Sequence, residues 1–242
     1  MPGNPTLSQS TFTEATRVGA PGEAMTVQGT VNKTAILLAL TAAAAAYTWK
    51  NHGASINLWI TVGALGGFIM AMITVFKKEW AAVTAPIYAI LEGLFIGAIS
   101  SMFELRYPGI VVQAVMLTFG TLAALLAAYT MGLIRATTGF RRGIFAATGG
   151  IALVYLVSIV LGFFNIQIPL IFGAGPVGIL FSVAVVIIAA LNLVIDFDFI
   201  ESGAQQGVPK YFEWYGAFSL MVTLIWLYME ILRLLSKLNR RN

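Results

Sequence analysis

Ten acidic residues occur in this chain, and five of them fall within or at the ends of long apolar runs. Glu92 sits in the middle of one run, in the segment YAILEG spanning Tyr88–Gly93. Asp196 and Asp198 close another, in VIDFDFI spanning Val194–Ile200. Glu213 opens the last run and Glu230 lies late in it, in WLYMEILR spanning Trp226–Arg233. An ionised carboxylate in hydrocarbon costs at least about 2.5–3.5 kcal/mol. No Lys or Arg lies centrally in any run, so these acids have no obvious cationic partner. Acids in that position can be tolerated by sharing a proton or by sharing a cation. Hard oxygen donors of this kind suit protons or Ca²⁺ and do not suit soft metals.

Each acid also has a plainer reading. Glu213 suits the positive end of a helix dipole as a solvated helix start. Asp198 is two residues from Asp196, about 200° around a helix, so the two do not face one site and one of them is an interfacial charge. Glu230 can pair with Arg233 three residues later on its own helix. Glu92 can be a protonated packing residue that hydrogen-bonds a neighbouring helix.

The elements that must hold these acids are set by composition. Of 242 residues, 59% are apolar and only 10% charged, and the mean hydropathy is +0.87. A soluble domain carries roughly 25% charged residues. This chain has too little polar surface for water, which excludes an ordinary soluble enzyme, a nucleic-acid-binding domain and a disordered chain. A polytopic membrane protein remains. The pI near 9.4 then reads as basic loops rather than as a nucleic-acid footprint. With no cysteine and one histidine, His52, a disulfide, a thiolate site and a histidine cage are all excluded.

Seven apolar segments of membrane-spanning character are predicted: about 34–49, 55–76, 82–103, 109–134, 143–164, 176–197 and 211–235. Residues 1–32 read as a flexible polar tail, residues 33–238 as the membrane domain, and residues 239–242 as a basic C-terminal tail. Connections are short, so neighbouring helices are antiparallel. Small-residue pairs Gly63/Gly67 and Gly93/Gly97 permit close helix contact, and Trp49, Trp59 and Trp80 lie near predicted helix ends as interfacial anchors. Eight Lys and Arg residues fall on the N-terminal side of the bilayer (Arg17, Lys33, Lys77, Lys78, Arg135, Arg141, Arg142, Lys210), against Lys50 and Arg106 opposite. The N terminus is therefore placed in the cytoplasm. Lys237, Arg240 and Arg241 disagree, since seven crossings put them outside.

At these residues the chain resembles the Bax inhibitor-1 family, in its bacterial branch, over about residues 34–238. The resemblance is carried by Gly93–Gly97 (GLFIG) through Ala114–Thr118 (AVMLT), by Val194–Ile200, and by Leu227–Leu235 (LYMEILRLL). It implies an all-α membrane protein, a seven-transmembrane helix bundle with the last helix central, in a bacterial cell membrane. It also implies a pH-sensitive calcium leak channel in which an acid on helix six and an acid on the last helix share a proton and hold the pore closed. By position those acids are Asp196 and Glu230, which would also meet Ca²⁺. Glu92, Asp198 and Glu213 are further candidate acids of the ion pathway. No cofactor is required; the partners are the lipid bilayer, Ca²⁺ and protons, with no nucleic acid, and the chain is taken as a monomer.

Three departures from the family pattern stand out. The last-helix acid is Glu230 where Asp is usual. The Gly-rich signature lacks a proline near Ile96–Ser100. No buried basic latch is evident, Lys77 and Lys78 being the candidates. Asp196 and Glu230 are also 34 residues apart. If helix seven begins at Tyr211, Glu230 lies about 28 Å along it, so pairing requires the crossing to begin later.

The alternative to a channel is a non-transporting, stress-modulating membrane protein whose carboxylates are structural. An intramembrane enzyme is not expected. No aspartyl-protease motif is present, serine chemistry would need a base other than loop residue His52, and no Lys lies centrally in a helix to bind retinal.

Overall fold

A computed structural model describes residues 23–51, 53, 55–164, 171 and 173–241; His52 lies outside the described residues. Its seven long helices are α1 (Val27–Lys50), α2 (Ile56–Phe76), α3 (Ala81–Arg106), α4 (Ile110–Thr130), α5 (Thr138–Phe163), α6 (Pro176–Gln206) and α7 (Phe212–Arg241). A 3₁₀ turn over Lys78–Trp80 leads into α3. All seven are long and apolar enough to cross a membrane. The fold is all-α, as predicted.

Several helix ends differ from the predicted ones, those of α1, α6 and α7 among them. α1 begins at Val27 rather than near Thr34, because Thr26 caps it: its hydroxyl accepts from the Gly29 N–H. Residues 27–32, read as tail, are therefore helical, and Lys33 lies in the second turn of the helix. α6 does not close at Asp198 but runs on to Gln206, through the helix-compatible stretch from Glu201. It stops at Gly207, whose φ of +64° is a left-handed cap, with Pro209 just beyond. α7 runs to Arg241, so the basic tail is the last turn of a helix.

The chain forms two compact units. One takes in α1, α2, α3, the end of α6 from residue 199 and the start of α7 up to residue 222. In it α3 packs against both α1 and α2 through glycine notches. A Cβ on Gly93 would lie 2.5 Å from the Thr41 carbonyl oxygen, and one on Gly97 would run into Thr48 and Ala45. A Cβ on Gly63 would meet the Phe95 Cβ at 2.7 Å. Close approach of this kind replaces the hydrophobic drive that helices lack in lipid. Hydroxyls add to it: Thr41 donates to the Ala89 carbonyl (3.0 Å), and Thr74 to Thr84 Oγ1 (2.7 Å). An aromatic group of Tyr88, Phe199, Phe212, Tyr215 and Phe218 fills the rest.

The other unit takes in α4, α5, α6 up to residue 198 and α7 from residue 223. α5 presents Leu153, Leu156, Val157, Val160 and Phe163 outward, the apolar surface that lipid requires. The seven spans differ sharply in enclosure. The most apolar stretch of α7 is 61% buried against 6% for α5.

Candidate functional site

Among the described residues, the buried charged side chains, Asp196, Glu213, Glu230 and Lys237, all lie on α6 and α7. In α6, Ser182, Asn192 and Asp196 are buried along with Val185 and Ala189, all at helical spacing and so on one stripe. In α7, Thr223, Glu230 and Lys237 are buried and recur every seven residues, again one stripe. Asp196 and Glu230 are each 1% exposed. Within one unit these stripes form a polar seam whose other members come from α5. Thr148 Oγ1 accepts from Asn192 Nδ2 (2.9 Å), and the Tyr155 hydroxyl donates to Glu230 Oε1 (2.9 Å).

Glu230 is held on two sides. Besides Tyr155, Arg233 Nη1 donates to both carboxylate oxygens at 3.0 and 3.2 Å. The same Nη1 lies 2.6 Å from the Tyr155 hydroxyl, and the guanidinium stands 5.0 Å from the Tyr155 ring centroid. The three side chains thus close a small triangle, with the cation fixed by charge, hydrogen bond and π face together.

Lys237 anchors the seam's end. Its ammonium donates to the carbonyls of Ile171 (2.8 Å) and Gly178 (2.9 Å) and to Ser182 Oγ (2.8 Å). All three protons of the ammonium are matched by oxygens. Lys237 is therefore no exposed tail charge, and one of the three cations that disagreed with the charge count is internal.

The Lys237–Ser182 bond also sets the register of α6 against α7. Carried along two antiparallel helices, it brings Glu230 level with Ala189. Asp196 then lies about 10 Å further along the axis. The two acids share a seam, while the hydrogen bonds on the Glu230 carboxylate come from Tyr155 and Arg233. The cation on the Glu230 carboxylate is Arg233, a residue of the same helix.

The remaining candidates lie elsewhere, and the expectation that the acids lack cations is corrected for three of the five. Asp198 is paired with Arg141 of α5. Arg141 also donates through Nε to the Ala136 carbonyl, 2.9 Å away, across the turn that starts its helix. Glu213, in the other unit, is not a solvated helix start. It is 1% exposed and paired with Lys33 of α1, and it accepts from the Thr26 N–H (3.0 Å) and hydroxyl (2.9 Å). Lys33 and Arg141 were missed as partners because both sit in helix turns that begin before the predicted ones. Their long stems carry the charge inward from a helix end. Glu92, also in that other unit, lies against Gly67 of α2.

Among the described residues, no group of three or more His, Cys, Asp or Glu side chains could hold a metal ion. A cation on the seam would have to draw on Asp196 or Glu230 together with neutral oxygens such as those of Asn192 and Thr223.

Seven membrane-spanning helices with carboxylates enclosed between them define a polytopic membrane protein with an ionisable interior. The chain belongs to the Bax inhibitor 1 like family, whose model matches residues 4–240. No curated protein and no solved structure matches it.

Proposed function

We propose that this protein is a proton-controlled leak pathway for Ca²⁺, with the α6–α7 seam as its ion-handling part and Asp196 and Glu230 as the responding carboxylates. One observation carries the reading: two acids, each 1% exposed, lie on one polar seam inside apolar spans. Ionisable groups in that position mark ion and proton paths more often than they serve packing. Family membership is the second support.

In this reading Arg233 and Tyr155 occupy Glu230 in a closed form. A proton on Glu230 removes the charge that holds Arg233, and a Ca²⁺ ion competes with the guanidinium for the same oxygens. Asp196, two turns away, offers the next carboxylate to an ion that has left Glu230. The site lies in a cell membrane with the N terminus in the cytoplasm, as the bias of loop Lys and Arg supports.

The ion pairs on Asp198, Glu213 and Glu230 favour a second reading, in which the carboxylates are structural and the protein works through partners without moving ions. Ca²⁺ flux in liposomes separates the two. Purified protein should pass Ca²⁺ with a pH dependence that Asp196→Asn and Glu230→Gln alter. Liposomes that stay Ca²⁺-tight at every pH would leave only the structural reading.

A further inference from the structure

Glu92 is the central residue of the Lys78–Arg106 span, about 21 Å from either end, and therefore lies at the middle of the bilayer. It is half-buried, and among the described residues nothing hydrogen-bonds its carboxyl. Its place is made by a missing side chain. A Cβ on Gly67 of α2 would lie 2.6 Å from Glu92 Oε1 and 3.1 Å from its carboxyl carbon. The acid thus fills the notch by which α2 and α3 meet.

The charged and titratable groups around it are few. α2 carries none between Ile56 and Phe76. α1 has Lys33, engaged by Glu213, and Lys50 in its last turn. On α3 itself Tyr88 stands one turn away, its ring edge-on to Phe218 of α7. Among the described residues no ion pair offsets a charge on Glu92, and a bare carboxylate at mid-bilayer is costly.

We propose that Glu92 is a proton-operated contact between α2 and α3: the neutral carboxyl packs into the Gly67 notch, and ionisation drives the two helices apart there. The site is separate from the Glu230 triangle and does not depend on the leak reading. It also assigns a modification chemistry. A neutral acid reached from lipid reacts with an apolar carbodiimide. The acid proton passes to one nitrogen, the carboxyl oxygen adds to the central carbon, and acyl migration to nitrogen gives a stable N-acylurea with no leaving group.

Two measurements on the full chain in lipid nanodiscs test this. Dicyclohexylcarbodiimide should add its full mass to the Glu92 peptide, and the adduct should vanish in Glu92→Gln. Once rising pH begins to ionise the acid, labelling should fall about tenfold per pH unit. A water-soluble carbodiimide should leave Glu92 unmodified. Because the chain has no cysteine, Gly66→Cys with Leu91→Cys gives a single reporter pair across the same contact. Its rate of oxidative cross-linking, divided by the rate for the same pair in Glu92→Gln, should drop as pH rises, the division removing the thiols' own titration. A Glu92 that takes no apolar label at acid pH, or that labels equally with the water-soluble reagent, would overturn the proposal, as would a flat cross-linking ratio.

Discussion

Replacing Arg233 by Met leaves the Glu230 carboxylate with Tyr155 alone. The variant loses both Arg233 hydrogen bonds, at 3.0 and 3.2 Å, and the guanidinium over the Tyr155 ring. Removing one member of a fully buried pair costs about 3–5 kcal/mol, chiefly from the charge left behind. The Glu230 side chain is 2% exposed but that of Arg233 is 34% exposed, so part of the pair's field is already screened. A loss of about 2–3 kcal/mol is expected. Glu230→Gln should cost less, because a guanidinium one-third exposed can turn outward. The double variant should be closer to native than Arg233→Met alone, since the stranded charge is gone. Equilibrium unfolding in mixed micelles, for the four members of the cycle, measures each quantity. A cost below about 0.5 kcal/mol for Arg233→Met, or a double variant no closer to native than Arg233→Met alone, would refute the account of Glu230 as a carboxylate held by its cation.

Other outcomes follow from the same packing. Gly97→Ala should destabilise by about 1–3 kcal/mol through collision with Thr48 and Ala45, whereas Gly120→Ala, with nothing within 4 Å, should not; thermal denaturation in detergent compares them. Lys237→Met strands the oxygens of Ile171, Gly178 and Ser182 and should cost about 1–3 kcal/mol, with faster hydrogen exchange over residues 173–182. In this cysteine-free chain, Lys78→Cys should react with an impermeant thiol reagent only from the cytoplasmic side and Tyr107→Cys only from the opposite side; the reverse pattern would invert the topology.

How much of this was legible differs from element to element. α2 is an uninterrupted apolar stretch of 21 residues, so its existence follows from length and hydropathy alone. The ends of α6 and α1 were misread because the apolar run stops before the helix does. Gly207 followed by Pro209, and Thr26 before Val27, were the available signals, and both are capping chemistry rather than hydropathy. Arg233 could be paired with Glu230 from helical spacing. Tyr155 could not, being 75 residues away and indistinguishable by type from any aromatic in a span. Lys237 looked like a tail because charge near a terminus usually is one, and only tertiary packing reveals its three oxygens.

The segment before α1 is tied to the turn between α6 and α7. Ala24 bridges Pro209, the Met25 N–H donates to the Val208 carbonyl (2.7 Å), and the Lys210 N–H to that of Glu23 (2.8 Å). Lys33 and Glu213, which reinforce this tie, are 180 residues apart. During synthesis the first span must therefore wait about 10–35 s for the partner of its lysine to leave the ribosome. The last hairpin is the closing stitch. A chain interrupted before residue 213 would keep its opening helices in the bilayer with one cation uncompensated, a ready mark by which quality control could tell an unfinished molecule from a finished one.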